Sequence, residues 1–225
     1  MPTVKREIEI ELRYEILDNE PPKLNYTSPR RVLDVYYDTA NGKFFKQGIF
    51  IRERNNKKLD FKFNLEDLKG NDLKNDHTHC DDFSFTLPLT LESKKKIDQV
   101  GKILKLKIPK DFNLTNFLNS NSLRKLAVVD KLRRKANQNG FSICYDVEKT
   151  SGRFLEIEKC IEIDSDANDY REKIQQIKDD IASFVKSFGV GLKQNPIGYC
   201  EAVLRKTNFD LYLQGKYVLG EDKIA

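Results

Sequence analysis

Residues 4–13 read Val4-Lys-Arg-Glu-Ile-Glu-Ile-Glu-Leu-Arg13. Ile8, Ile10 and Leu12 alternate with Glu7, Glu9, Glu11 and Arg13, a period of two that puts the apolar residues on one face of a strand and the charges on the other. An ordinary half-buried strand carries scattered polar residues on its wet face. Here that face is a row of strong charge, and such rows return along the chain. Arg52 and Arg54 oppose Ile49 and Ile51. Lys62, between Asp60 and Asn64, opposes Leu59, Phe61 and Phe63. Lys131, Arg133 and Lys135 share a face, Asp146 and Glu148 oppose Tyr145 and Val147, and Glu156 and Glu158 oppose Leu155 and Ile157. Two arrangements satisfy this alternation. The rows form the solvated outside of a sheet, or the strands close into a barrel with the charges lining a lumen and the apolar faces turned out under helices.

The rest of the chain supplies those helices. Ile97, Val100, Ile103 and Leu104 make a helical stripe over 93–106, and Leu114, Phe117 and Leu118 a shorter one. The spacing of Tyr170, Ile174, Ile177, Ile181, Phe184, Val185 and Phe188 predicts a helix over 168–188 that stops at Gly189. Amphipathic helices need an apolar surface to cover, which the outward strand faces provide. Further strands are predicted at 32–38, 48–55, 58–65, 83–91, 126–136, 140–148 and 153–163, with turns at Asn41-Gly42 and Asn55-Asn56. Residues 18–31 hold three prolines and connect, 66–82 read as loop, 198–206 fit either strand or helix, and the tail beyond 207 has no placement.

Composition narrows the class. The 225 residues fit one domain over 1–225, and 39% apolar content excludes disordered and collagen-like chains. Charged residues reach 33%, against about 25% in an average soluble domain, yet the net charge is only +5. That balance disfavours a generic nucleic-acid binder. There is no run of about 18 apolar residues to span a membrane, and the first residues lack the apolar core of a signal peptide, so a cytoplasmic protein is expected. The four cysteines lie far apart and are expected as small apolar residues in a reducing compartment. His77 and His79, the only histidines, are expected in a solvated loop, and Asp34 and Asp38 in hydrogen-bonding roles.

A lumen walled on one side by carboxylates and on the other by Arg and Lys suits a polyphosphate bridged by a hard divalent ion. Glu9, Glu11 and Arg13; Tyr36, Tyr37, Asp38 and Thr39; Arg52 and Arg54; Lys62; Lys131 and Arg133; Asp146; and Phe154 through Glu158 occur in an order that resembles the CYTH family, the triphosphate tunnel metalloenzymes, over about residues 5–205. The resemblance implies an α+β fold, a closed eight-stranded antiparallel β-barrel with α-helices packed outside. It implies Mg²⁺ or Mn²⁺ held by Glu9, Glu11, Glu156 and Glu158, with Asp146 beside the metal or its water, and Glu9, Glu11, Asp146 and Glu158 as the catalytic set. Arg13, Arg52, Arg54, Lys62, Lys131 and Arg133 would grip the triphosphate. The implied activity is hydrolysis of a small triphosphate (tripolyphosphate, thiamine triphosphate or a nucleoside triphosphate) by a monomer or homodimer, the alternatives being a class IV adenylyl cyclase, an RNA 5′-triphosphatase or a weakly catalytic triphosphate-binding module. Three departures stand out. Arg13 occupies a position usually held by Lys. Asp82 is the nearest match to a further acidic strand. No basic residue precedes Tyr199, which leaves Lys193, Arg205 and Lys206 to replace it.

Overall fold

The computed structural model describes residues 6–18, 20–70, 79–163 and 170–223. Nine strands form one sheet: β1 (Arg6–Ile16), β2 (Arg30–Asp38), β3 (Phe50–Arg54), β4 (Lys58–Phe63), β5 (His79–Thr86), β6 (Arg124–Gln138), β7 (Phe141–Glu148), β8 (Gly152–Ile163) and β9 (Leu192–Gln194). The order β5-β4-β3-β2-β6-β7-β8-β1 closes because β1 also pairs with β5, giving an eight-stranded antiparallel barrel. Short β9 adds to the same edge of β1, beside Tyr14, Glu15 and Ile16. Closure leaves no long strand edge open, and it needs the strands to tilt and stagger. Left-handed Asn55 and Asn56 turn β3 into β4, and Asn139-Gly140 turns β6 into β7, both with the positive φ that matches a two-residue hairpin to the strand twist.

The apolar strand faces point outward, as alternation predicts for a lined barrel. Ile8, Ile10, Leu12, Ile143, Leu155 and Ile157 are buried beneath α4 (Tyr170–Lys186), which contributes Ile174, Ile177, Ile181, Phe184 and Val185. On the opposite flank Ile51, Leu59, Phe61, Phe63 and Phe85 pack under Ile97, Val100 and Leu104 of α2 (Leu91–Leu104) and Phe117 of α3 (Leu114–Ser120). Ile103, expected in the α2 stripe, is 39% exposed, since it lies one position off the Ile97, Val100 and Leu104 row.

Three elements differ from the sequence expectation. The strand expected at 83–91 runs instead from His79 to Thr86, its pairing set by Phe83 and Phe85 packing outward against Phe63 and Phe61. The loop expected over 66–82 holds part of a one-turn helix, α1 (Leu65–Leu68), and the start of β5; residues 71–78, with His77, lie outside the described residues. The ambiguous 198–206 stretch is helix α5 (Tyr199–Thr207), with six consecutive residues from Tyr199 to Leu204 buried. A run this short does not separate helix from strand by its periodicity.

That helix stops one end of the barrel. Tyr36, Phe50, Ala127, Val129 and Phe154 hold lumen-facing register positions at this end. They join Tyr199, Cys200, Ala202, Val203 and Leu204 of α5 in a single apolar cluster. The tail beyond 207 packs on its underside: α6 (Phe209–Leu213) buries Tyr212, and Tyr217 stacks on Phe50 at 6.4 Å. The lumen is thus blind, greasy at the floor and charged above it.

Candidate functional site

The charged rows meet inside the barrel. The lumen is lined by Glu9, Glu11 and Arg13 of β1, Arg52 and Arg54 of β3, Lys62 of β4, Cys80 and Asp82 of β5, Lys131 and Arg133 of β6, and Glu156 and Glu158 of β8; it leaves about 150 Å³ of free space. Each strand supplies alternate residues, so a period of two in sequence becomes one continuous wall.

Most of these charges are partnered, which is what makes their burial affordable. Arg13 donates to Glu156 at 2.6 Å, to Glu11 at 2.5 Å and to the Ile197 carbonyl. Arg52 donates to Asp60 at 2.7 Å and Arg54 to Asp34 at 2.7 Å, so that β2 and β4 hold the two guanidinium groups of β3 from either side. Lys62 donates to Glu9 at 2.7 Å and lies 3.2 Å from Asp82. Asp146, wholly buried, accepts from Lys131 at 2.8 Å, Arg133 at 2.7 Å and the Tyr199 hydroxyl at 2.6 Å. Glu156 accepts from Arg133 as well as Arg13 and lies 3.9 Å from Lys131.

Of the four acids expected as metal ligands, three converge. Oxygens of Glu9, Glu11 and Glu158 lie within 4.8 Å of one another. Glu156 is engaged by the cations instead, and so is Asp146. Within the trio, burial together with Glu156 and Glu9 nearby pushes the Glu11 carboxyl up to about 7. Burial, Glu9 and Glu156 likewise raise Glu158, against the hydrogen bond it accepts from Ser142. Burial works on Glu9 in the same sense, but the Lys62 ammonium outweighs it by charge and hydrogen bond and holds the carboxyl down at about 2. Carboxyl groups pressed to keep protons mark a place short of positive charge. An oxygen-only donor set of this kind fits a hard divalent cation.

The CYTH domain matches residues 7–188. The chain belongs to the CYTH family. No curated protein matches it. Among solved structures it resembles PH1819 from Pyrococcus horikoshii, at 18% identity and a TM-score of 0.53, over 88% of this chain and 99% of that one. It also resembles HpAC1 from Hippeastrum, reported to have a dominant triphosphatase activity, at 16% identity and a TM-score of 0.50, over 88% of this chain and 95% of that one. At these identities the likeness is one of fold.

Against the CYTH motifs, all eleven expected site residues lie in or beside one cavity, Asp146 behind the lining as the anchor of Lys131 and Arg133. Asp82 joins them through Lys62, and burial raises its carboxyl. None of Lys193, Arg205 and Lys206 lines the cavity in place of the basic residue missing before Tyr199; Arg205 pairs with Glu221 and Asp222 at the far side of α5. What stands at that point is Tyr199 itself. Lys131 Nζ lies 3.5 Å from the centre of its ring and Arg13 Cζ 4.3 Å, so the ring face supports two cations while the hydroxyl holds Asp146. Sequence reasoning gave no role to Tyr36, Asp60, Cys80 or Tyr199. The first three share strand parity with Asp34, Lys62 and Asp82, which was the signal available; Tyr199 arrives from a helix and carried none.

Asp34 and Asp38 do serve hydrogen bonding. Asp34 binds Arg54, and Arg52 and Arg54 together overcome its burial and keep its carboxyl low. Asp38 accepts from the N–H groups of Thr39, Phe44 and Phe45, organising the turn after β2. Cys144 and Cys200 are buried, Cys80 half-buried and Cys160 exposed, and none of the four is in a disulfide. None of the described helices is long and apolar enough to cross a membrane.

Proposed function

We propose that this protein is a divalent-metal-dependent hydrolase of a small triphosphate: tripolyphosphate, thiamine triphosphate or a nucleoside triphosphate. The observation that carries the reading is the two-signed lumen, in which the Glu9, Glu11 and Glu158 cluster faces a wall of Arg52, Arg54, Lys62, Lys131 and Arg133 across one blind cavity. Glu9, Glu11 and Glu158 would hold Mg²⁺ or Mn²⁺, and Glu156 would stay with the cations. Bound there, the ion supplies charge neutralisation at the phosphoryl oxygens and a more acidic water.

The chain's own residues do the positioning that phosphoryl transfer mainly needs. Arg52, Arg54 and Arg133 present forked donors to phosphate oxygens, and Lys62 and Lys131 act as compact charges. Their internal carboxylate partners Asp34, Asp60, Asp146 and Glu156 hold them in place without a ligand, so the cationic wall is assembled in advance. Burial and neighbouring Arg133 bring the Lys131 ammonium down to about 8, against the pull of Glu156 and Asp146; an incoming phosphate restores its full charge. Arg13 is committed to Glu11 and Glu156, and its role is to fix the acid cluster relative to the cations. The plugged floor keeps water from entering behind the substrate.

Phosphate release from each of the three substrates, measured with Mg²⁺, with Mn²⁺ and with EDTA, tests the reading. Metal-dependent release from at least one is expected. Silence with all three overturns it, and cyclic AMP with pyrophosphate from ATP would replace it with cyclisation.

A further inference from the structure

The small positive excess of the chain is concentrated in one place. Residues 91–112, which span α2 and the connection to α3, hold seven lysines, no arginine and three acids, a net +4 of the chain's +5. All seven lysines are exposed. On α2, Ile97, Val100, Gly101 and Leu104 are buried against the barrel. Leu91, Lys95, Asp98 and Lys102 recur at i, i+4, i+7 and i+11, so they share one line on the side turned away from it. Lys105, Lys107 and Lys110 follow the helix end. Exposed Lys57 and Lys58 of the β3–β4 turn lie beside the segment leading into α2, the Lys57 carbonyl accepting from the Leu87 N–H at 2.7 Å.

Of the three acids, Glu92 is taken by Lys96 at 3.0 Å; no other lysine of the segment pairs with a carboxylate among the described residues. The cations of the lumen, by contrast, are held by internal acids. The segment therefore presents uncommitted positive charge along the 14 residues of α2, about 21 Å of helix. The same face carries Leu91, at 82% the most exposed large apolar side chain of the described residues, and Ile103, at 39%, lies on its flank. An exposed leucine flanked by lysines suits a surface that meets anionic lipid, with the charges among the headgroups and the apolar side chain at the acyl boundary.

We propose that the outer face of α2, with the connection that follows it, docks peripherally on an anionic membrane surface. The apolar face of α2 is already covered by the barrel, so the contact is mainly electrostatic, and nothing crosses the bilayer. A nucleic acid is the competing polyanion, but its readers favour arginine forks and aromatic faces. This segment has no arginine, and its one aromatic, Phe112, packs on Phe117 at 5.6 Å. Lysine's compact charge on a long stem suits a fluid surface whose headgroups rearrange to meet it. None of these residues lines the lumen, so the membrane contact stands or falls apart from the triphosphatase reading.

Cosedimentation of the full chain with phosphatidylcholine vesicles, with and without phosphatidylserine, at low and high salt tests the contact, beside titrations with duplex DNA and single-stranded RNA. At low salt the phosphatidylserine vesicles are expected to bind at least about tenfold more tightly than neutral ones, an advantage that high salt removes. Lys95→Glu, Lys102→Glu and Lys107→Glu together turn the segment's net charge from +4 to −2 and should abolish that advantage. These positions are exposed, so melting should be unchanged; the same three lysines replaced by Gln serve as the second variant. Phosphate release should be the same in every variant. No binding to phosphatidylserine vesicles, equal binding to neutral ones, or binding that survives the charge reversal overturns the proposal. DNA or RNA bound more tightly than vesicles, and released by the same substitutions, assigns the face to nucleic acid and overturns it too.

Discussion

Glu158 and Glu9 sit in the same cluster yet carry opposite electrostatic burdens. Glu9 is held by Lys62 and its carboxyl is low; Glu158 has Ser142 as hydrogen-bond donor and two other glutamates as neighbours, and its carboxyl is raised. Ionised Glu158 therefore costs stability at neutral pH, and Glu158→Gln removes the charge while keeping an oxygen for Ser142. The variant should lose metal-dependent phosphate release and melt at the same temperature or higher, with about 2–4 °C gained per kcal/mol relieved. A clear drop in Tm would mean that the carboxylate is structural. Glu11 sets a second test. Between its ordinary value of 4.5 and about 7 the folded protein keeps a proton on Glu11 that the unfolded chain has released, so this group makes metal-free stability fall as pH rises through that window. Glu9 acts in the other direction, its contribution present above 4.5 and lost as pH drops towards 2. A divalent ion must displace the Glu11 proton, so Mg²⁺ should raise Tm more above pH about 7 than at about 5. Equal shifts at both would argue against the Glu9, Glu11 and Glu158 site.

At the scale of elements, each strand has two jobs divided by parity. Ile10 is fully buried on the outer face of β1, between the barrel wall and α4, while its neighbours Glu9 and Glu11 line the lumen. Ile10→Asp should cost several kcal/mol and abolish cooperative melting, since an unpaired charge under α4 has no partner. Ile103→Asp on α2, at a position 39% exposed, should leave Tm within a degree or two. Reversal of that order in calorimetry would contradict the packing. The strands with charged rows were legible because period two survives wherever one face is apolar. β5 was misplaced because Asp81, Phe83 and Phe85 mix polar and aromatic residues on the outer face, and only pairing with β4 fixes their register. Helix α5 was ambiguous because a nine-residue segment with six successive buried positions fits either period.

For the whole molecule, the C-terminal segment turns a tunnel into a pocket. Tyr212 is fully buried, its hydroxyl donating to Asp222 at 2.8 Å and accepting from the Leu219 N–H at 2.8 Å, while Arg205 of α5 pairs with Asp222 and Glu221. Lys216 pairs with Asp67, tying the tail to α1 after β4. Ending the chain at Thr207 strips this layer from beneath α5. By analogy with large-to-small aromatic substitutions, the loss should be about 3–5 kcal/mol or more, seen as a markedly lower Tm and new binding of a hydrophobic dye. An unchanged Tm would show that the floor stands without the tail.

Taken alone, the sequence determined which faces are apolar and which charged, the ordered motifs that mark the CYTH barrel, and most of the charged residues that line its lumen, because alternation along a strand is a local property that closure only bends into a circle. Only the tertiary structure decided how those charges divide. Glu156 and Asp146 go to the cations and Glu9, Glu11 and Glu158 to one another, because pairing across the lumen depends on the stagger between distant strands. The floor, made by Tyr199 and its helix, was likewise invisible, because a short segment buried at six successive positions gives no period that tells helix from strand.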